Sequence, residues 1–327
     1  MTRLIFINLL LLVNSLNLFG QENLINEDVK SFHDVSYKGI YDKDSLKLDI
    51  FLPEKLRDSL TPLVAIVHGG AWIAGDKELE PIYYMRELKK KLMVQGIAVA
   101  SIEYRLVDST THFPSPVQDC KDAIRWLHAH AGQYGLDTSK FAVWGGSAGA
   151  HLALLMANSD NQDFLGDSSL AQYSCDLKFV IDNFGPTNLN TLFKMNIGNL
   201  GTWFFKSFIN KLYLAQRKIT FAMTGYSFRE KQKIKDKNWD FSPIRIIDNN
   251  SVPTLIMHGN KDRVVPLKQS KMLQASLNEH GIKNQLIIVK NGDHGFNNIP
   301  KEKLDELINI TVDFACEQFV WPTLSDR

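Results

Sequence analysis

The sequence predicts an α/β fold: a mostly parallel central sheet with helices on both faces. Two observations carry this. Short uninterrupted apolar runs recur along the chain, each ending in small or polar residues, and amphipathic patterns of helical period lie between them. A strand covered on both faces reads as continuous Val, Ile and Leu rather than as an alternation, and parallel neighbours need crossovers of helix length.

Each element follows from its local pattern. Residues 34–52 read as strands; LKLDIFL alternates apolar and polar residues, the period of a half-buried strand, and Pro53 ends it. PLVAIVHGG is continuously apolar over 63–67 and then meets two glycines, which marks a strand buried on both faces. The same grammar recurs in GIAVASIEY, KFAVWGG, FVIDNFG, PTLIMHG and QLIIVKN. Helical periodicity is expected over 82–94, 117–131, 148–158 and 267–280. Segment 188–240 breaks the rhythm. It has no buried-strand run and is rich in aromatics, among them Phe193, Trp203, Phe204, Phe205, Phe208, Tyr213, Phe221, Tyr226, Phe228 and Trp239. It is read as a helical cap insertion over the carboxyl edge of the sheet, most of its aromatics packing rather than facing a substrate.

Composition narrows the function. A net charge of +1 gives no global field for nucleic acid or an anionic membrane. The basic run KQKIKDK at 231–237 is interrupted by Ile234 and Asp236 and reads as a solvated helix face. Residues 1–20 have the layout of a secretory signal peptide: Arg3, an apolar stretch over 4–13 broken by Asn8, and Gly20 as a small residue for cleavage. The expected mature protein is therefore residues 21–327, secreted or periplasmic, with no stable membrane span. The cysteines Cys120, Cys175 and Cys316 leave room for one disulfide and form neither a redox nor a zinc motif. No metal or organic cofactor is called for, and nothing in the sequence specifies an oligomeric state.

The chemistry concentrates at Gly145-Gly146-Ser147-Ala148-Gly149, a G-x-S-x-G motif between an apolar strand and a helix. A turn this tight strains the serine backbone, and glycines two residues to either side let the flanking backbones pass. The serine Oγ then projects above the sheet edge at a helix N-terminus, where negative charge is favoured. A small-residue turn without chemistry is the bland alternative, and the flanking strand and helix argue against it. A hydroxyl needs a base. Among nine histidines His294 is the best placed, in the polar loop NGDHGF after the last strand-like run. His258 ends a strand and reads as structural; His151 lies one helical turn past the serine and reads as packing beneath it. The acid that orients the base is assigned to Asp262, in the loop after PTLIMHG, ahead of Asp182, within a strand, and Asp293, adjacent to His294. In HGGAW the second and third small residues are assigned as oxyanion donors. Gly70 and Ala71 act there with Ala148, and Gly69 stands one position away as an alternative; one such donor supplies roughly 3 to 4 kcal/mol.

Taken together, HGGAW, EYRL, FPSPVQDCKDAIRWL, GGSAG, HGNKDRVVP and GDHGF resemble the α/β-hydrolase superfamily. The branch most similar holds hormone-sensitive-lipase-like carboxylesterases and bacterial acetyl-xylan or feruloyl esterases. The resemblance runs over about residues 34–318 except the insertion, and the chain order Ser147, Asp262, His294 agrees with it. Ala71 stands where the family often has a third glycine. The resemblance implies a serine carboxylesterase acting through an acyl-enzyme on short-acyl or carbohydrate-linked esters, the substrate being a small molecule or linked to a polysaccharide. The alternatives are an amidase, formamidase or peptidase using the same three residues, and a catalytically silent binding protein on the same fold.

Overall fold

The computed structural model describes residues 30–40, 43–54, 60–193 and 217–319. The expected leader over residues 1–20 lies outside the described residues, as do Trp203, Phe204, Phe205, Phe208 and Tyr213 of the insertion. Eight strands form one sheet: β1 (Ser31–Ile40), β2 (Lys43–Phe51), β3 (Thr61–Val67), β4 (Ala98–Ile102), β5 (Leu136–Gly146), β6 (Val180–Asn183), β7 (Thr254–Gly259) and β8 (Asn284–Val289). Their spatial order is β1-β2-β4-β3-β5-β6-β7-β8. β1 and β2 are antiparallel, β2 runs antiparallel to β4, and every other pair is parallel.

Helices α1 (Tyr83–Val94), α2 (Ser115–Ala129), α3 (Ala131–Tyr134), α4 (Ala148–Asn158), α5 (Leu189–Leu192), α6 (Lys231–Asp240), α7 (Lys268–Glu279) and α8 (Lys301–Gln318) complete the order, with residues 217–224 also helical. The expected helices are α1, α2, α4 and α7; the long C-terminal α8 is an addition to that reading.

Strand period 2 divides the core into two layers. Leu63, Ala65 and Val67 of β3 face one cluster with Val117 and Ile124 of α2, Leu152 of α4 and Leu273 of α7. Val64 and Ile66 face the other, with Leu88 and Leu92 of α1 and Leu307 and Val312 of α8. Both faces of β3 are therefore dry, which is why it carries no alternation. β2 departs from the half-buried expectation. Even its polar Asp49 is buried, where Lys77 Nζ binds it at 2.9 Å. In the insertion, α6 carries the basic run; Lys231, Lys233 and Lys235 are exposed while Ile234 turns inward.

Candidate active site

Ser147 stands between β5 and α4 with φ 56° and ψ −120°, a backbone conformation costing of order 1–3 kcal/mol for a residue with a Cβ. Two backbone bonds hold it. Ser147 N–H donates to Asn183 O on β6 at 2.9 Å, and Ser147 O accepts from His151 N at 3.1 Å. The turn closes because Gly145 and Gly149 lack side chains. A Cβ on Gly145 would meet the Gly149 carbonyl at 2.4 Å, and one on Gly149 would meet Val67 O at 2.1 Å.

The parallel strands bring distant loops to this elbow. His294, after β8, has Nε2 2.9 Å from Ser147 Oγ and Nδ1 2.7 Å from Asp262 Oδ2, after β7. An ionised carboxylate only accepts, so Nδ1 carries the proton and Nε2 presents its lone pair to the serine hydroxyl. Phe184 packs against the imidazole, with ring centres 4.8 Å apart, and Phe296 packs on Phe184 at 5.0 Å.

Asp262 is fully buried at its side chain. Burial pushes its carboxyl up, but the opposing contacts with His258 and His294 and the Val265 amide hold it well below the usual carboxylate range. Val264 N and Val265 N donate to Oδ1 at 2.8 and 2.9 Å. The carboxylate is thus charged and fixed in rotation, with Oδ2 turned to His294.

The other candidates lie elsewhere. Asp293 Oδ1 accepts from Asn297 N at 2.8 Å, within its own turn. Asp182 Oδ1 accepts from Gly185 N at 2.7 Å, and its Oδ2 has no partner among the described residues. His151 is completely buried, with Nε2 2.7 Å from Phe241 O, and burial draws its imidazole down to about 4. It stays neutral and pins α4 to the end of the insertion. His258, which the strand-end reading makes structural, is buried beside the acid: its Nε2 lies 3.2 Å from Asp262 Oδ2. Its spacing of four residues from Asp262 was the available signal.

The HGGAW loop lies over the elbow. Gly70, Ala71 and Trp72 all have positive φ, at 111°, 53° and 64°, which turns successive peptide units. The amides of Gly70, Ala71 and Ala148 have no acceptor among the described residues. Gly69 touches the elbow: a Cβ there would lie 3.0 Å from Gly146 O and 3.5 Å from Ser147 Cβ. Three contacts brace the loop from EYRL and the residue after it. Tyr104 stacks on His68 at 4.2 Å and donates to His68 O at 3.0 Å, while Val107 N donates to Trp72 O at 2.8 Å. Among the described residues no group of His, Cys, Asp or Glu is arranged to hold a metal ion.

Relatives share this chain at low identity. Esterase LipC of Mycobacterium tuberculosis is 26% identical over 224 residues, 68% of this chain and 50% of that protein. Isoprenylcysteine alpha-carbonyl methylesterase ICME of Arabidopsis thaliana is 26% identical over 253 residues, 77% of this chain and 54% of the relative. The chain spans about half the length of these curated relatives. Among solved structures, a truncated carbohydrate esterase from gut microbiota superposes with a TM-score of 0.69 at 26% identity, covering 90% of this chain and 98% of that one. Esterase 2 of the Planctomycetes species Thermogutta terrifontis, bound to butyrate, has a TM-score of 0.65 at 20% identity over 89% of this chain and 94% of its own, a likeness of fold. The eight-stranded sheet and these neighbours make this the α/β-hydrolase fold. A family model covers residues 48–277, more than half of the chain, and the chain belongs to the BD-FAE family.

Proposed function

We propose that the protein is a serine carboxylesterase. The observation that carries this is the unbroken hydrogen-bonded line from Ser147 Oγ through His294 to Asp262, at 2.9 and 2.7 Å. In the first half-reaction Ser147 Oγ attacks the ester carbonyl carbon while His294 Nε2 takes the hydroxyl proton. The oxyanion is received by the amides of Gly70, Ala71 and Ala148. Collapse breaks the bond to the alcohol oxygen, which leaves with the proton from His294, and the acyl group stays on Ser147. Water then attacks the acyl-enzyme, again giving its proton to His294, and the carboxylic acid departs as Ser147 regains its hydrogen. Asp262 keeps its charge throughout and stabilises the imidazolium.

The substrate class is proposed as short-acyl or carbohydrate-linked esters. Support comes from the carbohydrate esterase that superposes over most of both chains, and from relatives named for ester hydrolysis. The basic and apolar start of the sequence supports an exported site of action. Ser147→Ala is expected to abolish p-nitrophenyl acetate hydrolysis, a loss on the order of 10⁶-fold in kcat, with an unchanged circular dichroism spectrum. Retained turnover would refute the assignment. Acetylated and feruloylated saccharides, compared with matched amides, read the substrate class; faster amide than ester cleavage would move the reading to an amidase.

A further inference from the structure

Strand β7 ends in His258, whose imidazole is completely buried although the proposed reaction gives it no step. His258 Nε2 lies 2.8 Å from Val265 O and 3.2 Å from Asp262 Oδ2, and Nδ1 lies 2.7 Å from Ser270 Oγ on α7. A carbonyl and an ionised carboxylate only accept, so Nε2 carries the proton and Nδ1 accepts from the Ser270 hydroxyl. One proton therefore serves two acceptors of the same loop, the shorter contact being to Val265 O. Val265 N in turn donates to Asp262 Oδ1. Asp262 thus has a histidine on each side: partly exposed His294 toward the serine and buried His258 behind.

We propose that His258, held in its Nε2–H tautomer by Ser270, is a positioning residue for the reaction. It clamps the 262–265 loop and draws charge from Asp262, so that the carboxylate sets the direction of His294. This rests on the reading of Ser147, His294 and Asp262 as the reacting set. Among the described residues, the titratable groups facing His258 are Asp262 on the loop and Asp182 on β6, whose carboxyl feels the His258 field. Helix α7 presents Ser270, and β8 places Ile288 beside His258 in register.

The test uses a fluorophosphonate probe, whose bond to Ser147 is read by mass spectrometry, together with p-nitrophenyl acetate turnover. Replacing His258 by Leu removes the donor at similar volume. Charge then concentrates on the Asp262 oxygen facing His294 and favours the imidazolium, so the base is lost at higher pH. In His258→Leu, kcat is expected to fall about tenfold with KM within about twofold, and the midpoint of the acid limb to rise by about half a pH unit or more. His258→Gln, which restores an N–H near the Nε2 position, recovers most of both. Ser270→Ala shifts the midpoint the same way by less. Asp182 also feels the His258 field, so the shift must persist in an Asp182→Asn background. Wild-type protein that the probe does not label at Ser147 overturns the catalytic reading and this inference with it. A labelled wild type whose midpoint is unmoved in His258→Leu, or in Ser270→Ala should the leucine variant not fold, overturns this inference alone. So does a shift that vanishes in the Asp182→Asn background.

Discussion

Single residues here hold states they would not hold in water, and neighbours account for each. Ser147 keeps φ at 56° because Asn183 O and His151 N take its two backbone groups. Asp182 shows the opposite balance. Burial lifts its carboxyl to about 6, against the smaller opposing effects of the Gly185 amide and the His258 field. A raised carboxyl means that the folded chain holds a proton the unfolded chain has already lost between about pH 4 and 6. This contribution to stability therefore falls as pH rises through that window, by about 2–3 kcal/mol. Asp182→Asn keeps an oxygen for Gly185 N and carries no charge. Its unfolding free energy relative to wild type is expected to increase by about 2 kcal/mol between pH 4.5 and 7.5 in urea titrations. A difference that stays constant across the two pH values would show that Asp182 does not titrate there.

At the scale of elements, α2 is the least expected. Its apolar stripe is legible from the spacing of Val117, Cys120, Ile124 and Leu127, yet Asp119, Lys121, Asp122 and Arg125 are buried as well. Charged residues are almost never fully buried unless paired. Here Asp119, Asp122 and Arg125 are in ion pairs, while Lys121 donates to Ser159 Oγ at 2.9 Å and Asp160 O at 2.6 Å. Asp119 takes Arg105 in a two-pronged bond at 2.7 and 2.8 Å and Lys38 at 2.8 Å; Asp122 takes Lys38 at 2.6 Å and Arg125 at 3.1 Å. The cluster ties edge strand β1 and the EYRL loop to α2, and the same loop braces HGGAW through Tyr104 and Val107. Removing one partner strands the others. Asp119→Ala is expected to cost about 3 kcal/mol in denaturant unfolding and to lower esterase turnover through the loosened loop. A loss under about 1 kcal/mol would mean that Lys38 and Arg105 find water instead. The periodicity marks these four residues as polar, and the Asp122–Arg125 pair has helical spacing, but Lys38 and Arg105 lie on β1 and after β4, and no spacing within the helix shows that.

For the whole molecule, the thiols give a direct check on how closely the two layers pack. Cys120, Cys175 and Cys316 are all buried, and none is in a disulfide. The one disulfide that composition left room for does not form. Burial raises the thiols of Cys120 and Cys175, which keeps them protonated. Ellman's reagent is expected to find no reactive thiol in the native protein and three per chain in guanidinium; dithiothreitol should leave the melting temperature unchanged. A native thiol that reacts within minutes would mean a looser core. The strands, the elbow and the order Ser147, Asp262, His294 were legible because they rest on local rules: continuous apolar runs, small residues at a tight turn, polar loops after strands. Those rules operate within a few residues, so the sequence by itself determined the α/β architecture and nominated Ser147, Asp262 and His294 for the reaction we propose. Packing alone decided the rest. Ser147 and His294 are 147 positions apart, and their 2.9 Å contact exists because β5 and β8 end at the same edge of one sheet. The lifted carboxyl of Asp182 and the pairing of α2 with Lys38 and Arg105 depend on which groups exclude water from one another, a property of the folded surface that no local pattern encodes.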